Sequence, residues 1–349
     1  MCPGNENRHG DSHRLRLLFW ESTGRCNLSC VHCRRLHPDH DPGDELTTEQ
    51  ARGVIDSAAG MGRPIFVFSG GEPLLRDDWA ELARHAKDKG LMTALATNGT
   101  LVDPPLAGRV AAAGFHRVSV SLDAAEASSH DRFRGVPGAF EAAISGIKAL
   151  RQAGAAVQIN ATICESNVGQ LPRLYALAGR LGAVALHLFL LVPVGCGMAM
   201  SEDEFLAPTE CESVLEWVVR RQAGGEIELK ATCAPHYYRV AKQWLTRHAD
   251  DDGAERVRSG IRSRGCLAGV GVIFVSHSGE VFPCGYLPVS CGSILERDLA
   301  GIWENSEVLR RLRDYDLLTG KCGRCEFKTV ESGVIPLALG RRRRTPVRA

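Results

Sequence analysis

Nowhere in these 349 residues does an apolar run approach the roughly 20 residues needed to span a bilayer, which excludes a helical membrane protein. The N-terminal stretch, with Asn5, Glu6, Arg8 and Asp11, lacks the apolar segment of a secretion signal, so the cytoplasm is the expected compartment. Neither sign of charge is in excess. The formal net charge is +1, which gives no reason to expect a nucleic-acid partner. The one strong basic run, 341–344, lies in a tail and reads as solvated. Internal repeats other than a strand–helix unit, and long low-complexity segments, are also missing. With 44% hydrophobic and 24% charged residues, the chain reads as globular, with one large core or one core and a smaller appendage.

Cysteine is not scarce. There are thirteen, an odd number in a chain without a secretion signal, which argues against a disulfide framework and for metal or redox chemistry. Three of them form Cys26-Asn27-Leu28-Ser29-Cys30-Val31-His32-Cys33, a C-x3-C-x2-C spacing just after the apolar run 17–20. No fourth cysteine lies nearby, so a metal core held here keeps an open position. Thiolates suit zinc or an iron–sulfur cluster. Zinc would need a fourth ligand such as His32 or His37, and His32, between two cysteines, is poorly placed to converge with them. Unligated buried cysteines are the third reading.

From 17 to 191, short apolar or β-branched runs alternate with longer amphipathic segments, the pattern of repeated strand–helix units around a parallel sheet. The runs predict strands at 17–21, 65–69, 92–97, 117–122, 157–163 and 185–191. Helices are expected at 48–61, 77–89, 105–113, 140–153 and 170–181, several ending at glycines such as Gly90, Gly114, Gly154 and Gly182. The fold class is therefore α/β, an open partial barrel or a doubly wound sheet, and in both the chemistry collects beyond the carboxyl ends of the strands. The polar motifs fall there: the cysteine cluster after strand one, Ser69-Gly70-Gly71-Glu72-Pro73 after strand two, Thr97-Asn98-Gly99 after strand three and Ser121-Leu122-Asp123 after strand four. After Pro193 the alternation stops. A helix at 208–222, a short strand at 228–231, a second helix after Arg239 and a flexible, charged connection at 250–264 are expected. A small module begins at Cys266, with a hairpin turning at Ser278-Gly279 and a helix at 299–313.

Cys26-x3-Cys30-x2-Cys33 together with Gly70-Gly71-Glu72-Pro73 resembles the radical S-adenosylmethionine (SAM) superfamily. The resemblance implies a (β/α)6 partial TIM barrel whose three cysteines hold a 4Fe–4S cluster, with SAM on the fourth iron. One electron from that cluster cleaves the sulfonium and releases a 5′-deoxyadenosyl radical. Gly70 and Gly71 would let the backbone approach SAM, and Glu72 would accept from its ammonium. Asn98, Ser121 and Asp123 would face the ribose. The plainer alternative makes Asn98-Gly99 a turn and Asp123 a helix cap. Cys266, Gly279 and Cys284, with Cys322-x2-Cys325, resemble the SPASM-type extension that carries auxiliary iron–sulfur clusters, although those four thiolates would equally hold zinc.

Phe19-Trp20-Glu21-Ser22-Thr23, 191–197, 232–239 and 283–288 resemble the haem-biosynthesis branch of the superfamily. That branch holds the AhbD-type haem synthases of the siroheme-dependent pathway and the related NirJ-type enzymes of haem d1 formation. The branch implies oxidative decarboxylation of tetrapyrrole propionates to vinyl groups, with an electron donor or acceptor such as a ferredoxin or flavodoxin as partner. His236, Tyr237, Tyr238 and Arg239 would bind the substrate's carboxylates or iron; the competing reading is a helix start with both tyrosines packed. Cys233 belongs either to the substrate pocket or to an auxiliary cluster, and Cys2, Cys164, Cys196, Cys211 and Cys291 have no metal-like spacing.

The expected divisions are an N-terminal tail at 1–16, a radical SAM core at 17–200, a helical connection at 201–265, an auxiliary-cluster module at 266–330 and a basic tail at 331–349. The family pattern breaks after Val330, where Glu331 and Val334 stand in place of expected cysteines, as a shifted reading frame or a diverged terminus would leave them. Three functions stay open: a tetrapyrrole decarboxylase, a SPASM-type peptide maturase, and a non-catalytic iron–sulfur or zinc protein on the same scaffold.

Overall fold

In the computed structural model, which describes residues 13–34, 45–261 and 265–328, the first strand β1 (Leu17–Glu21) shows how the sheet forms. Leu18 and Trp20 are fully buried on one face, while Leu17, Phe19 and Glu21 alternate to the other. Trp20 meets Phe66 and Phe68 of β2 (Ile65–Ser69), with ring centroids 6.1 and 5.6 Å apart, and Phe68 meets Phe115 edge-on at 5.5 Å. These aromatics anchor the layer between sheet and helices.

β3 (Thr93–Thr97), β4 (Arg117–Ser121), β5 (Val157–Ile163) and β6 (Ala185–Leu190) follow in sequence order, each parallel to the last. The six expected strands are thus present in an α/β partial barrel. The crossovers run through α1 (Thr48–Gly60), α2 (Trp79–Asp88), α3 (Pro104–Ala113), α4 (Ala127–Arg134), α5 (Ala139–Gln152), α6 (Glu165–Val168) and α7 (Leu171–Arg180). Local chemistry sets their ends: Thr47 and Gln50 form a capping box on α1, and Asp103 caps α3 ahead of Pro104.

Three features differ from the sequence expectations. The alternation does not stop after Pro193: α8 (Pro208–Gly224) leads to β7 (Glu228–Thr232), which pairs in parallel with β6 as a seventh barrel strand. After α9 (Tyr237–Arg247), the stretch expected to be a flexible connection contains α10 (Ala254–Gly260), whose Ala254 and Val257 are buried against its neighbours. The hairpin β8 (Val272–Val275) and β9 (Glu280–Phe282) forms as expected, with Gly279 in its turn at φ +87°. However, β8 also pairs in parallel with β1, so the extension is built onto the barrel's own sheet.

With β10 (Gly292–Ser293), the sheet order is β10-β9-β8-β1-β2-β3-β4-β5-β6-β7. Among the described residues no ladder joins β7 to the β8–β10 end, so the barrel they form is open along that side. Helices α11 (Leu299–Asn305), α12 (Glu307–Arg313) and α13 (Gly320–Gly323) complete the described chain. Glu331, Val334 and the basic tail, and Cys2 and His37, lie outside the described residues.

Candidate active site

The loop leaving β1 carries Cys26, Cys30 and Cys33, and the neighbouring rim holds it in place. Gly71 N donates to Thr23 O at 2.8 Å, and Glu72 N to Arg25 O at 2.8 Å. A Cβ on Gly71 would lie 2.2 Å from Arg25 O, and one on Gly70 would lie 2.7 Å from Thr23 O. The two glycines are therefore required first by the approach of the cysteine loop itself. On the other side, Ser29 N and Val31 N donate to Arg134 O and Phe133 O at the end of α4, at 3.2 and 3.1 Å. The His32 ring stacks on Phe133 with centroids 3.8 Å apart, and burial pushes its pKa down to about 3. His32 is thus a neutral packing group.

Glu72 is built into the rim. Its carboxylate is fully buried and accepts from Leu74 N (3.2 Å), Thr97 Oγ1 (2.8 Å) and Asn98 N (2.8 Å). Burial raises its pKa to about 7 against the pull of those donors. Glu72 thus ties the end of β2 to the end of β3. The Asn98 amide is likewise engaged: Nδ2 donates to Asn27 Oδ1 at 2.8 Å, and Oδ1 accepts from Thr100 N. Asn98 therefore also braces the cysteine loop.

Asp123 is held in the same way. Its carboxylate is buried and accepts from Arg134 Nε (2.6 Å) and Thr162 N (2.9 Å). Burial pushes its carboxyl up, but the Arg134 guanidinium, with the hydrogen bond from Thr162 N, outweighs burial and holds it below the usual range. Arg134 Nη1 lies 3.7 Å from Cys30 Sγ. The sequence reading missed Arg134 because α4 is polar and carries no apolar stripe; Gly135 at φ +71° was the one local sign of a helix end. Ser121 is half-buried at the end of β4, in register with Asn160.

At Arg34, the residue after Cys33, opens a cavity of about 280 Å³, lined among others by Glu21, Phe274, His277, Cys284 and Tyr286. His277 Nδ1 is 2.8 Å from Glu21 Oε2, and Arg34 Nη2 is 3.5 Å from Glu21 Oε1. Burial raises the Glu21 pKa, but His277 and Arg34 together hold it below the usual range. Arg34 lies over the Phe274 ring at 4.3 Å, and its buried Nη2 makes no hydrogen bond. None of Glu21, Arg34 and His277 stood out in the sequence as a site residue, because β1 and the β8–β9 turn lie some 250 positions apart and meet only in the sheet.

The expected substrate group is largely engaged by the protein. Tyr237 and Tyr238 are buried in the core with ring centroids 5.4 Å apart, the Tyr237 hydroxyl bonds Gln222, and Arg239 pairs with Glu212. His236 caps α9, half-buried. Tyr237 and Tyr238 thus stand at the helix start and pack as the competing reading expects, with Arg239 beside them.

Among the described residues no three Cys, His, Asp or Glu side chains converge on a single point as ligands of one metal ion do. Each cysteine of an iron–sulfur cluster binds a different iron and needs no such convergence. The donor set fits a cluster: no disulfide ties up the described cysteines, Leu28 N points at Cys26 Sγ (3.5 Å), Tyr286 N at Cys284 Sγ (3.4 Å) and a guanidinium at Cys30.

Residues 20–166 match the Radical SAM superfamily, and residues 266–326 match an iron–sulfur cluster-binding domain of the SPASM type. The chain belongs to the radical SAM superfamily and is a radical SAM enzyme, with a 4Fe–4S cluster, SAM and an auxiliary iron–sulfur cluster as its cofactors. It is similar to the AdoMet-dependent heme synthase of Methanosarcina barkeri, at 47% identity over 318 residues covering 91% of this chain and 90% of that one. The AdoMet-dependent heme synthase of Nitratidesulfovibrio vulgaris is 43% identical over 323 residues, covering 92% and 88%. In fold the chain is similar to Streptococcus suis SuiB bound to precursor peptide SuiA, with a TM-score of 0.75, 16% identity and coverage of 94% of this chain and 74% of that one. No helix among the described residues is long and apolar enough to cross a membrane.

Proposed function

We propose that the chain oxidatively decarboxylates the propionate side chains of iron-coproporphyrin III to vinyl groups, giving haem b. The observation that carries this reading is the cavity bordered by Arg34, next to Cys33, and by Cys284, with a buried guanidinium nitrogen lacking a hydrogen-bond partner. A propionate carboxylate satisfies that donor, and the Phe274, Phe282 and Leu287 walls suit an apolar macrocycle. The similarity to two heme synthases along about nine-tenths of the chain supports the same substrate class.

When bound, the radical cluster and SAM supply one-electron chemistry that removes a hydrogen atom from the propionate β-carbon. Loss of carbon dioxide and transfer of one electron to an acceptor then leave the vinyl group. In this reading Cys26, Cys30 and Cys33 ligate the cluster, while Gly70, Gly71 and Ser121 line the SAM side of the rim. Arg34 holds the carboxylate, and Glu21 and His277 fix Arg34. Residues 17–200 form the radical core and 266–330 the auxiliary module, with a small redox protein such as a ferredoxin or flavodoxin exchanging electrons. The many free thiols favour a reducing compartment, the cytoplasm.

Anaerobically reconstituted chain, given SAM, reductant and iron-coproporphyrin III, is expected to yield haem with the mass loss of two carboxyl groups, together with 5′-deoxyadenosine. Conversion of didecarboxysiroheme alone would move the assignment to haem d1 formation, and absence of 5′-deoxyadenosine would reject the reading.

A further inference from the structure

The open side of the barrel lies between β7 and the β8–β10 end of the sheet, and cysteines stand on both sides of it: Cys233 after β7, and Cys266 and Cys284 on either side of the β8–β9 hairpin. Cys233 directly follows β7 and holds a left-handed backbone at φ +57°, one of two non-glycine residues among the described ones to do so. L-residues avoid that region unless their surroundings impose it, and such residues gather at functional sites. Cys233 Sγ is hydrogen-bonded by the Tyr286 hydroxyl, and the backbone N–H of the same Tyr286 donates to Cys284 Sγ at 3.4 Å. Cys266 lies within electrostatic reach of both Cys233 and Cys284, and its own sulfur accepts a backbone hydrogen bond at Ala268. Three thiols from three segments thus lie within electrostatic reach of one another, and each has its own hydrogen-bond donor, an environment that suits iron–sulfur ligands.

We propose that Cys233 is a ligand of the auxiliary iron–sulfur cluster, in one set with Cys266 and Cys284. Cys233 lies outside the residues that match the cluster-binding domain, so the assignment adds a ligand from the barrel itself. The cluster then acts as a clasp, fixing the loop after the last barrel strand to the hairpin whose β8 is paired with β1. This also places the auxiliary cluster on the rim of the cavity that Cys284 and Tyr286 line.

The test uses the full chain with Cys26, Cys30 and Cys33 all changed to alanine, so that only auxiliary iron remains, reconstituted anaerobically. Adding Cys233→Ser is expected to remove or convert the cluster, with a loss of up to about four irons per chain and an altered electron paramagnetic resonance signal. Cys284→Ser should do the same, while Cys211→Ser should retain the iron. Cys233→Gly, which suits the left-handed backbone, separates thiol loss from misfolding: it should keep the wild-type circular dichroism and still lose the iron. Full iron and an unchanged signal in Cys233→Gly, beside loss in Cys284→Ser, would overturn the proposal. Iron content is read independently of turnover, so the outcome stands whatever the substrate assay gives.

Discussion

The guanidinium of Arg134 donates through Nε to the buried carboxylate of Asp123 at 2.6 Å while its Nη1 reaches Cys30 Sγ at 3.7 Å. One ion pair therefore joins the ends of β4 and α4 to the cysteine loop. Removing one member leaves the other charged and buried, so Asp123→Asn should lower stability by about 3–5 kcal/mol, and Asp123→Asn with Arg134→Met should recover part of that. Iron retention in Arg134→Met should fall about 10- to 100-fold under chelator challenge, as expected for a partner of a metal ligand. Unchanged iron retention would reduce Arg134 to a structural role.

Glu72 makes a pH-dependent prediction. Its folded pKa, raised to about 7 by burial, stands above the ordinary 4.5, so the folded state holds its proton more tightly than the unfolded chain. Its contribution to stability is therefore fully present below about pH 4.5 and is lost as pH rises through about 7, with a total of about 3 kcal/mol. Denaturant unfolding of the iron-free chain, compared with Glu72→Gln from pH 4.5 to 8, should show wild type losing ground to the variant until about pH 7 and a constant difference above it. A difference that grows in favour of wild type with pH would contradict this.

Gly71 and Gly53 should respond oppositely to alanine. At Gly71 the new methyl would lie 2.2 Å from Arg25 O, so the cysteine loop must move; Gly71→Ala should lose most of its radical-cluster iron. At Gly53, inside α1, nothing lies within 4 Å, and Gly53→Ala should stabilise the chain by about 0.5–1 kcal/mol. Iron analysis and melting of the two variants side by side check the pair.

Arg34 and Tyr237 divide substrate contact from folding. Arg34→Gln removes a charge-assisted contact of about 1.5–3 kcal/mol and should raise the KM for the tetrapyrrole about tenfold or more, leaving iron content unchanged. Tyr237→Phe removes the hydroxyl bound to Gln222 and should lower stability by about 1–2 kcal/mol with KM unaffected. A KM change in Tyr237→Phe alone would return that residue to the substrate site.

Much of the barrel was legible because its signals are local. Six apolar runs became six strands, and the glycines ending the helices became left-handed, as at Gly114 and Gly154. The roles of Glu72, Asn98 and Asp123 were not legible. A sequence places a carboxylate at the end of a strand but does not say whether Thr97, Arg134 or a ligand will occupy it. Tyr237-Tyr238-Arg239 reads as a binding run until α9 turns both tyrosines into the core.

By itself the sequence determined the C-x3-C-x2-C loop after β1, the paired glycines after β2 and the α/β alternation, because spacing and hydrophobic period act over a few residues. Only the tertiary structure decided that β8 pairs with β1, that Arg34 meets Glu21 and His277 around one cavity, and that Cys233 comes to Cys266 and Cys284. Those contacts join residues tens to hundreds of positions apart, and burial of the shared core and curvature of the sheet, which no short stretch encodes, bring them together.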